Sequence, residues 1–375
     1  MRSQNFFDRL TVAVALVLIA ALAVALPLLP KKDFSVKERR ALAAFPTVSA
    51  DTLLDGRFFS GLSVYYADHF PLREGFTALK ARTERALGKR ENNGILFGAH
   101  GYLIARGEYN DLSTACQNLA AIRALSEKTH LPTTVAILPR AIDVLTPYLP
   151  RGYDSARSSQ IHEVIDRLLP ANVDLTVPLR TATEAGEAVF YRTDHHWTTE
   201  GAYLAYVHLA PSLGIIPYAA DYFTPTTATD SFLGTGLAHS GLSSNTPDAI
   251  TLYRYEGDEK YTVTRDGSTQ THGLYEMDAI VGDDPYEVFL GGNYARLTVR
   301  NENASPKPKL LIFKDSFANS LVPFLALHFD LVLVDPRYEV MGAQAILDEV
   351  RPDHVLILFG ADTVATTPAI KRLGW

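Results

Sequence analysis

Three short apolar runs near the C-terminal end constrain the fold most: KLLIFKD (residues 309–315), DLVLVD (330–335) and HVLILFG (354–360). Each is too short for a buried helix and too uniformly apolar for a strand with one wet face. They read as strands buried on both faces. A helix-like stretch separates each from the next, through SLVPFLALHF and then AQAILDEV. Strands that alternate with helices need crossover connections, so the expected fold is α/β, a parallel sheet with helices on both faces.

The same rhythm extends upstream. TTVAILP (133–139), VDLTVPL (173–179) and AVFYRTD (188–194) read as further strands, with helices expected around 111–130, 158–169 and 198–214. ENNGILFGAHGYLI (91–104) reads as a strand pair, with Gly98 and Gly101 as turn residues. The stretch from about 215 to 306 breaks the rhythm. ITLYRYEG, KYTVTRDG, YEVFLGG and ARLTVRN read as β-strands joined by polar turns, a β-rich insertion expected to lie over the sheet. Residues 31–90 begin with a charged linker and continue as helix, and 91–375 form the α/β domain.

At the N-terminus, Thr11 to Leu29 carry no charge, long enough to span a bilayer as a helix. Residues 1–30 are therefore expected to be a signal anchor; a cleaved signal peptide, cut near Ala21 or Ala23, is the alternative. Lys31, Lys32, Lys37, Arg39 and Arg40 follow the run and outnumber Arg2 and Arg9 before it, which by charge bias alone argues against export. The formal net charge of −7 leaves no basic excess for nucleic acid. The one cysteine, Cys116, excludes an intramolecular disulfide and a cysteine-rich zinc site, and reads as a small buried residue of a helix.

Two stretches carry chemistry. In LLIFKDSFANSLVPFL, Lys314-Asp315-Ser316 ends a strand and a helix follows almost at once. Open α/β sheets place ligands at this end of their strands. Ser316 is then either a nucleophile beside a helix N-terminus or, with Asp315, a helix cap. In TDHHWTTEGAYLAY, residues two apart on an extended chain share a face, so Asp194 and His196 point together and His195 points away. A carboxylate beside an imidazole is a base with its orienter. A metal site, or a polar cap with no chemistry, are the rival readings of the same residues; adjacent histidines rarely reach one ion, and no second ligand cluster is evident. Thr198 or Thr199 caps the next helix. Beyond the strand DLVLVD, Arg337 and Tyr338 leave the same sheet edge as Ser316 and are either oxyanion donors or part of a structural loop pair with Asp335.

Together these residues resemble the DHHW protein family, whose motif stands here as Asp194-His195-His196-Trp197. ERRALAAFP, FPLR, NNGILFGAHGYLI, ILPRAIDV, TDHHWT, SFLGTGLAHSGL, KDSFANSLVPFL and VDPRY carry the resemblance in order along the chain. That family is similar to the SGNH-type O-acetyltransferases of bacterial exopolysaccharide modification, the alginate O-acetylation proteins among them. The resemblance implies an SGNH-hydrolase-like, flavodoxin-like sheet with a circularly permuted motif order, the Asp-x-His pair preceding the serine. It implies Ser316 as nucleophile, His196 as general base and Asp194 as its orienter. Arg337, Tyr338, His195, Trp197 and Asn319 are the candidates for substrate or oxyanion contact, with no metal or cofactor. It further implies a membrane-tethered, extracytoplasmic body at the bacterial cell surface or periplasm. Acetyl would pass from a membrane-bound acyltransferase through acetyl-serine to polysaccharide hydroxyls. A carbohydrate acetylesterase with the same residues, and a silent glycan-binding scaffold, are the alternatives.

Overall fold

The computed structural model describes residues 2–28, 31–153, 156–243, 245–301 and 304–374. The chain divides into two compact units: Met1–Lys89 with Ala238–Ser243, and Arg90–Leu237 with Ser244–Trp375.

The first unit is helical, with Arg2–Leu28, Ala50–Leu54, Arg57–Asp68 and Arg73–Ala86 as its helices. The charge-free run lies on the first of these, while Leu29 falls outside the described residues. Among the described residues no helix is long and apolar enough to cross a membrane. Arg40 clamps Asp68 through both guanidinium nitrogens, at 2.5 and 2.9 Å. That pairing leads the forces that pull the Asp68 carboxyl down to about 2.

The second unit is built on a seven-stranded sheet. Its strands are β1 (Thr133–Leu138), β2 (Thr262–Arg265), β3 (Thr269–His272), β4 (Arg296–Arg300), β5 (Lys309–Lys314), β6 (Asp330–Val334) and β7 (His354–Gly360). Their order across the sheet is β3-β2-β4-β6-β5-β7-β1. The four strands β6-β5-β7-β1 are parallel, and β4, β2 and β3 extend the β6 edge antiparallel. Side chains alternate between two cores. Leu310, Ile312, Leu333 and Leu358 face one, closed by the helices Thr176–Glu184 and Thr199–Leu209. Leu311, Phe313, Val334 and Phe359 face the other, closed by Ser113–Lys128, Ala156–Leu168, Ala343–Val350 and Ala361–Thr366. The mixed α/β fold with helices on both faces is therefore as read from the alternating runs. From β5 the chain crosses to β6 on one side, and then to β7 on the other side of β5. The end of β5 is thus a switch point of the parallel core, the place where open sheets leave a crevice.

Three expected strands are absent from the ladder. Asn172, just before VDLTVPL, makes a single bridge to Val135, and Asp174 then accepts from the Thr176 N–H at 2.8 Å as the chain enters a helix. AVFYRTD is a loop folded on itself: Phe190 bridges Trp197, and the Thr198 N–H donates to the Val189 carbonyl at 3.0 Å. Val189, Phe190 and Tyr191 are apolar because they fill the core, not because they belong to a sheet. YEVFLGG contains a 3-10 turn, Pro285–Val288, since proline at its start suits a helical turn better than a ladder. The insertion also differs from the expectation. β2, β3 and β4 do not lie over the sheet but pair with its edge, which removes the open edge that β6 would otherwise present. Thr224–Phe232 and Asp248–Arg254 form a separate two-stranded sheet, and Glu91–Asn92, Ile95–Phe97 and Leu103–Ala105 a three-stranded one.

Candidate active site

The site assembles where β5 ends. Asp315 closes the strand by accepting from the Phe317 N–H at 3.1 Å, so the next six residues, Ser316–Leu321, wind as a 3-10 helix. The second oxygen of Asp315 accepts from the Gly360 N–H at 2.7 Å, at the end of the neighbouring strand β7. This ties Asp315 to scaffolding, while Ser316 remains partly exposed.

The loop before the helix Thr199–Leu209 brings the other groups. His196 Nε2 lies 2.7 Å from Ser316 Oγ, and His196 Nδ1 lies 2.6 Å from Asp194 Oδ1. The Asp194 carboxylate also accepts from the His196 N–H at 3.0 Å. Burial alone would raise its pKa. The charges of His195 and His196, with hydrogen bonds from His196 and the Thr235 backbone, hold it well below the usual carboxylate range. Thr198 caps the following helix by accepting from the Gly201 N–H at 3.1 Å, which fixes where the loop ends.

Aromatic walls surround the imidazole. The Tyr286 ring stacks on His196 with centroids 3.9 Å apart and planes 7° from parallel. The Phe317 ring meets it edge-on at 5.1 Å. The buried Tyr286 hydroxyl donates to the Ser316 carbonyl at 3.4 Å and to Ser320 Oγ at 3.2 Å, and burial raises its pKa far above normal. Such a group holds its proton and serves as a fixed donor. Below the turn, Lys314 is fully buried and donates to Asn293 Oδ1 at 3.0 Å and Asn319 Oδ1 at 2.9 Å. Burial pulls its ammonium down to about 8, opposed by Asp335.

Several expectations are corrected. His195 does not point away. The segment is a loop rather than an extended strand, so the His195 and His196 rings are neighbours with centroids 3.9 Å apart. Arg337 is held by Asp335, with Nε at 2.9 Å and Nη2 at 2.6 Å. Tyr338 is exposed, with its ring 5.6 Å from that guanidinium. Among the described residues no hydrogen bond joins either of them to Ser316 or His196. Asn319 is buried and spends its amide on the Gly292 carbonyl at 3.3 Å while its oxygen accepts from Lys314. Trp197 is fully buried and donates to the Phe317 carbonyl at 3.1 Å and Ser320 Oγ at 2.9 Å, so it braces the serine turn and offers no face for stacking a sugar. Asp194, His195 and His196 each offer a ligand atom, all within 4.8 Å of one another, a spacing that would admit a metal ion. Both nitrogens of His196 are already engaged, by Asp194 and Ser316, so an ion there would have to displace one of them. Tyr286, Thr235 and Lys314 carry no local sequence signal that marks them for the site; Thr235 lies within SFLGTGLAHSGL, and its partner Asp194 stands 41 positions upstream.

The fold and site define an α/β protein with a Ser-His-Asp hydrogen-bonded chain at a strand switch point. The chain belongs to the DHHW protein family, which matches residues 38–129 and 156–335. It is 26% identical over 185 residues to the probable alginate O-acetylase AlgJ of Pseudomonas fluorescens, a match that covers 46% of this chain and 47% of that one. The chain thus spans about half the length of the curated relatives it matches. A DHHW family protein from Eubacterium siraeum superposes with a TM-score of 0.62 at 24% identity, covering 75% of this chain and 95% of that one. Bacillus cereus PatB1 superposes with a TM-score of 0.60 at 19% identity, covering 73% and 98%. These two likenesses establish the shared fold.

Proposed function

We propose that this protein is an O-acetyltransferase that moves an acetyl group through acetyl-Ser316 onto hydroxyls of an extracytoplasmic polysaccharide. The observation that carries the reading is the unbroken hydrogen-bonded chain from Ser316 through His196 to Asp194. Ser316 Oγ attacks the carbonyl of an acetyl donor and its proton passes to His196 Nε2. The imidazolium is stabilised by Asp194, which stays ionised. The donor's leaving group departs with that proton. In the second half an acceptor hydroxyl gives its proton to His196 and attacks the acetyl-serine, which releases Ser316. The Ser316 backbone N–H, at the start of the 3-10 turn, is the candidate oxyanion donor.

The relatives named alginate O-acetylase support polysaccharide as the acceptor class. The charge-free run at Thr11–Leu29 suggests a single-pass tether, and the likeness to the alginate O-acetylation proteins suggests a body outside the cytoplasm and a membrane-bound acyltransferase as donor. An esterase would use the same residues with water as acceptor. Purified protein is given p-nitrophenyl acetate with and without oligosaccharides, and acetyl is sought on Ser316 and on sugar by mass spectrometry. Sugar that accelerates loss of acetyl from the enzyme and itself becomes acetylated is the expected result. Turnover of Ser316→Ala at the wild-type rate would refute the assignment, and acetate as the sole product would favour the esterase.

A further inference from the structure

Asp194 has two carboxylate oxygens, and only Oδ1 faces His196. Oδ2 accepts from the Thr235 N–H at 2.8 Å and from the Thr235 hydroxyl at 2.9 Å. An ionised carboxylate can only accept, so the single hydroxyl proton of Thr235 points at Asp194. His195 Nδ1 lies 2.6 Å from the same Thr235 oxygen, and with that proton committed, Nδ1 is the donor. One chain of hydrogen bonds therefore runs Ser316–His196–Asp194–Thr235–His195.

The segment that delivers Thr235 is built to reach this carboxylate. A side chain on Gly234 would overlap the Asp194 carboxylate, so only glycine lets the backbone come this close. The Gly234 N–H donates to Thr193 Oγ1 at 3.0 Å, and the Leu237 N–H to the Thr193 carbonyl at 3.1 Å. Asp248, buried, takes the Arg192 N–H at 2.9 Å and the Thr193 N–H and hydroxyl at 2.8 and 2.7 Å. Residues from the β-rich stretch thus grip the backbone on the N-terminal side of Asp194, and Thr235 grips its side chain. A loop carboxylate has no sheet ladder to hold it, and this grip supplies the orientation that a strand would otherwise impose.

We propose that Thr235 is a positioning residue for the Ser316 reaction. Its hydroxyl, brought in by Gly234, fixes the rotation of the Asp194 carboxylate, and through it the imidazole of His196, and it couples His195 to the same carboxylate. This rests on the acyl-serine reading above. The test compares Thr235→Val, Thr235→Ser, Ser316→Ala and wild type for p-nitrophenolate release from p-nitrophenyl acetate, with thermal melting to verify folding. Valine keeps the shape and the backbone N–H but loses the hydroxyl. It should lower kcat about 10- to 100-fold with little change in KM, as expected for a misoriented catalytic group. Serine should restore most of the rate. Where valine melts early, Thr235→Ala serves as the second hydroxyl-free variant. Wild-type rates in the folded hydroxyl-free variants, with Ser316→Ala inactive, would overturn this inference alone, as would a folded Thr235→Ser that fails to restore activity. A fully active Ser316→Ala would overturn the acyl-serine reading and this inference with it.

Discussion

His196 Nε2 stands 2.7 Å from the hydroxyl of Ser316, a residue 120 positions later in the chain. Neither stretch has a chemical use for the other until the sheet forms. The relationship makes a direct prediction: Ser316→Ala and His196→Ala should each lower kcat for acetyl-ester turnover by about 10³-fold or more. The double variant should be scarcely worse than either single one, because the two act on one proton transfer. Steady-state kinetics on all three proteins checks it, and additive losses would separate the two residues.

Asp194 predicts an acid-range signature. Its folded pKa lies below the unfolded value of about 3.9. The stabilisation from its ionised form is therefore fully present above that unfolded value and is lost as pH falls through the lower folded value. Asp194→Asn should be less stable than wild type at neutral pH, and the gap should narrow as pH falls below about 4. Urea unfolding at several pH values measures the gap; a gap that widens with acid would contradict the assignment.

Tyr286 separates its ring from its hydroxyl. Tyr286→Phe retains the face stacked on His196 and loses the bonds to Ser320 Oγ and the Ser316 carbonyl. It should cost about 1 kcal/mol of stability, the usual worth of such a bond, and keep most activity. Tyr286→Ala removes the wall and leaves a cavity, with an expected loss of about 3 to 5 kcal/mol and a larger fall in kcat. Thermal melts and kinetics on both variants test this, and equal behaviour would mean the stacking does not matter.

Lys314 predicts an alkaline effect. Its ammonium is held down to about 8 in the fold, against about 10.4 in an unfolded chain. Between those values the unfolded state binds more protons, so this group makes stability rise with pH. Relative to Lys314→Met, wild type should therefore gain stability as pH climbs from 8 towards 10. The comparison cancels the opposing titration of the buried tyrosines common to both proteins. Melting curves across that range decide it, and a difference independent of pH would show that Lys314 does not titrate in the fold.

Much of the scaffold was legible in the chain. KLLIFKD, DLVLVD, HVLILFG and TTVAILP became the four parallel strands because a strand buried on both faces must be apolar at every position. AVFYRTD met the same apolar criterion and is a loop. Burial, not pairing, is what an apolar run reports, and a loop packed into a core is equally apolar. Spacing along an extended chain pairs Asp194 with His196, but this segment is not extended. The loop instead turns so that the Asp194 side chain accepts both the N–H and the ring N–H of His196.

By itself the sequence determined the alternating scaffold, the serine at the end of β5 and the acid-histidine cluster, because periodicity and local spacing are properties of neighbours. The tertiary structure alone decided that Thr235, Gly234 and Asp248 hold the Asp194 loop, that Tyr286 walls His196, and that Trp197 braces the serine turn. Those contacts join residues tens of positions apart, and a hydrogen bond or stacked ring between distant residues leaves no periodic trace in the chain that makes it.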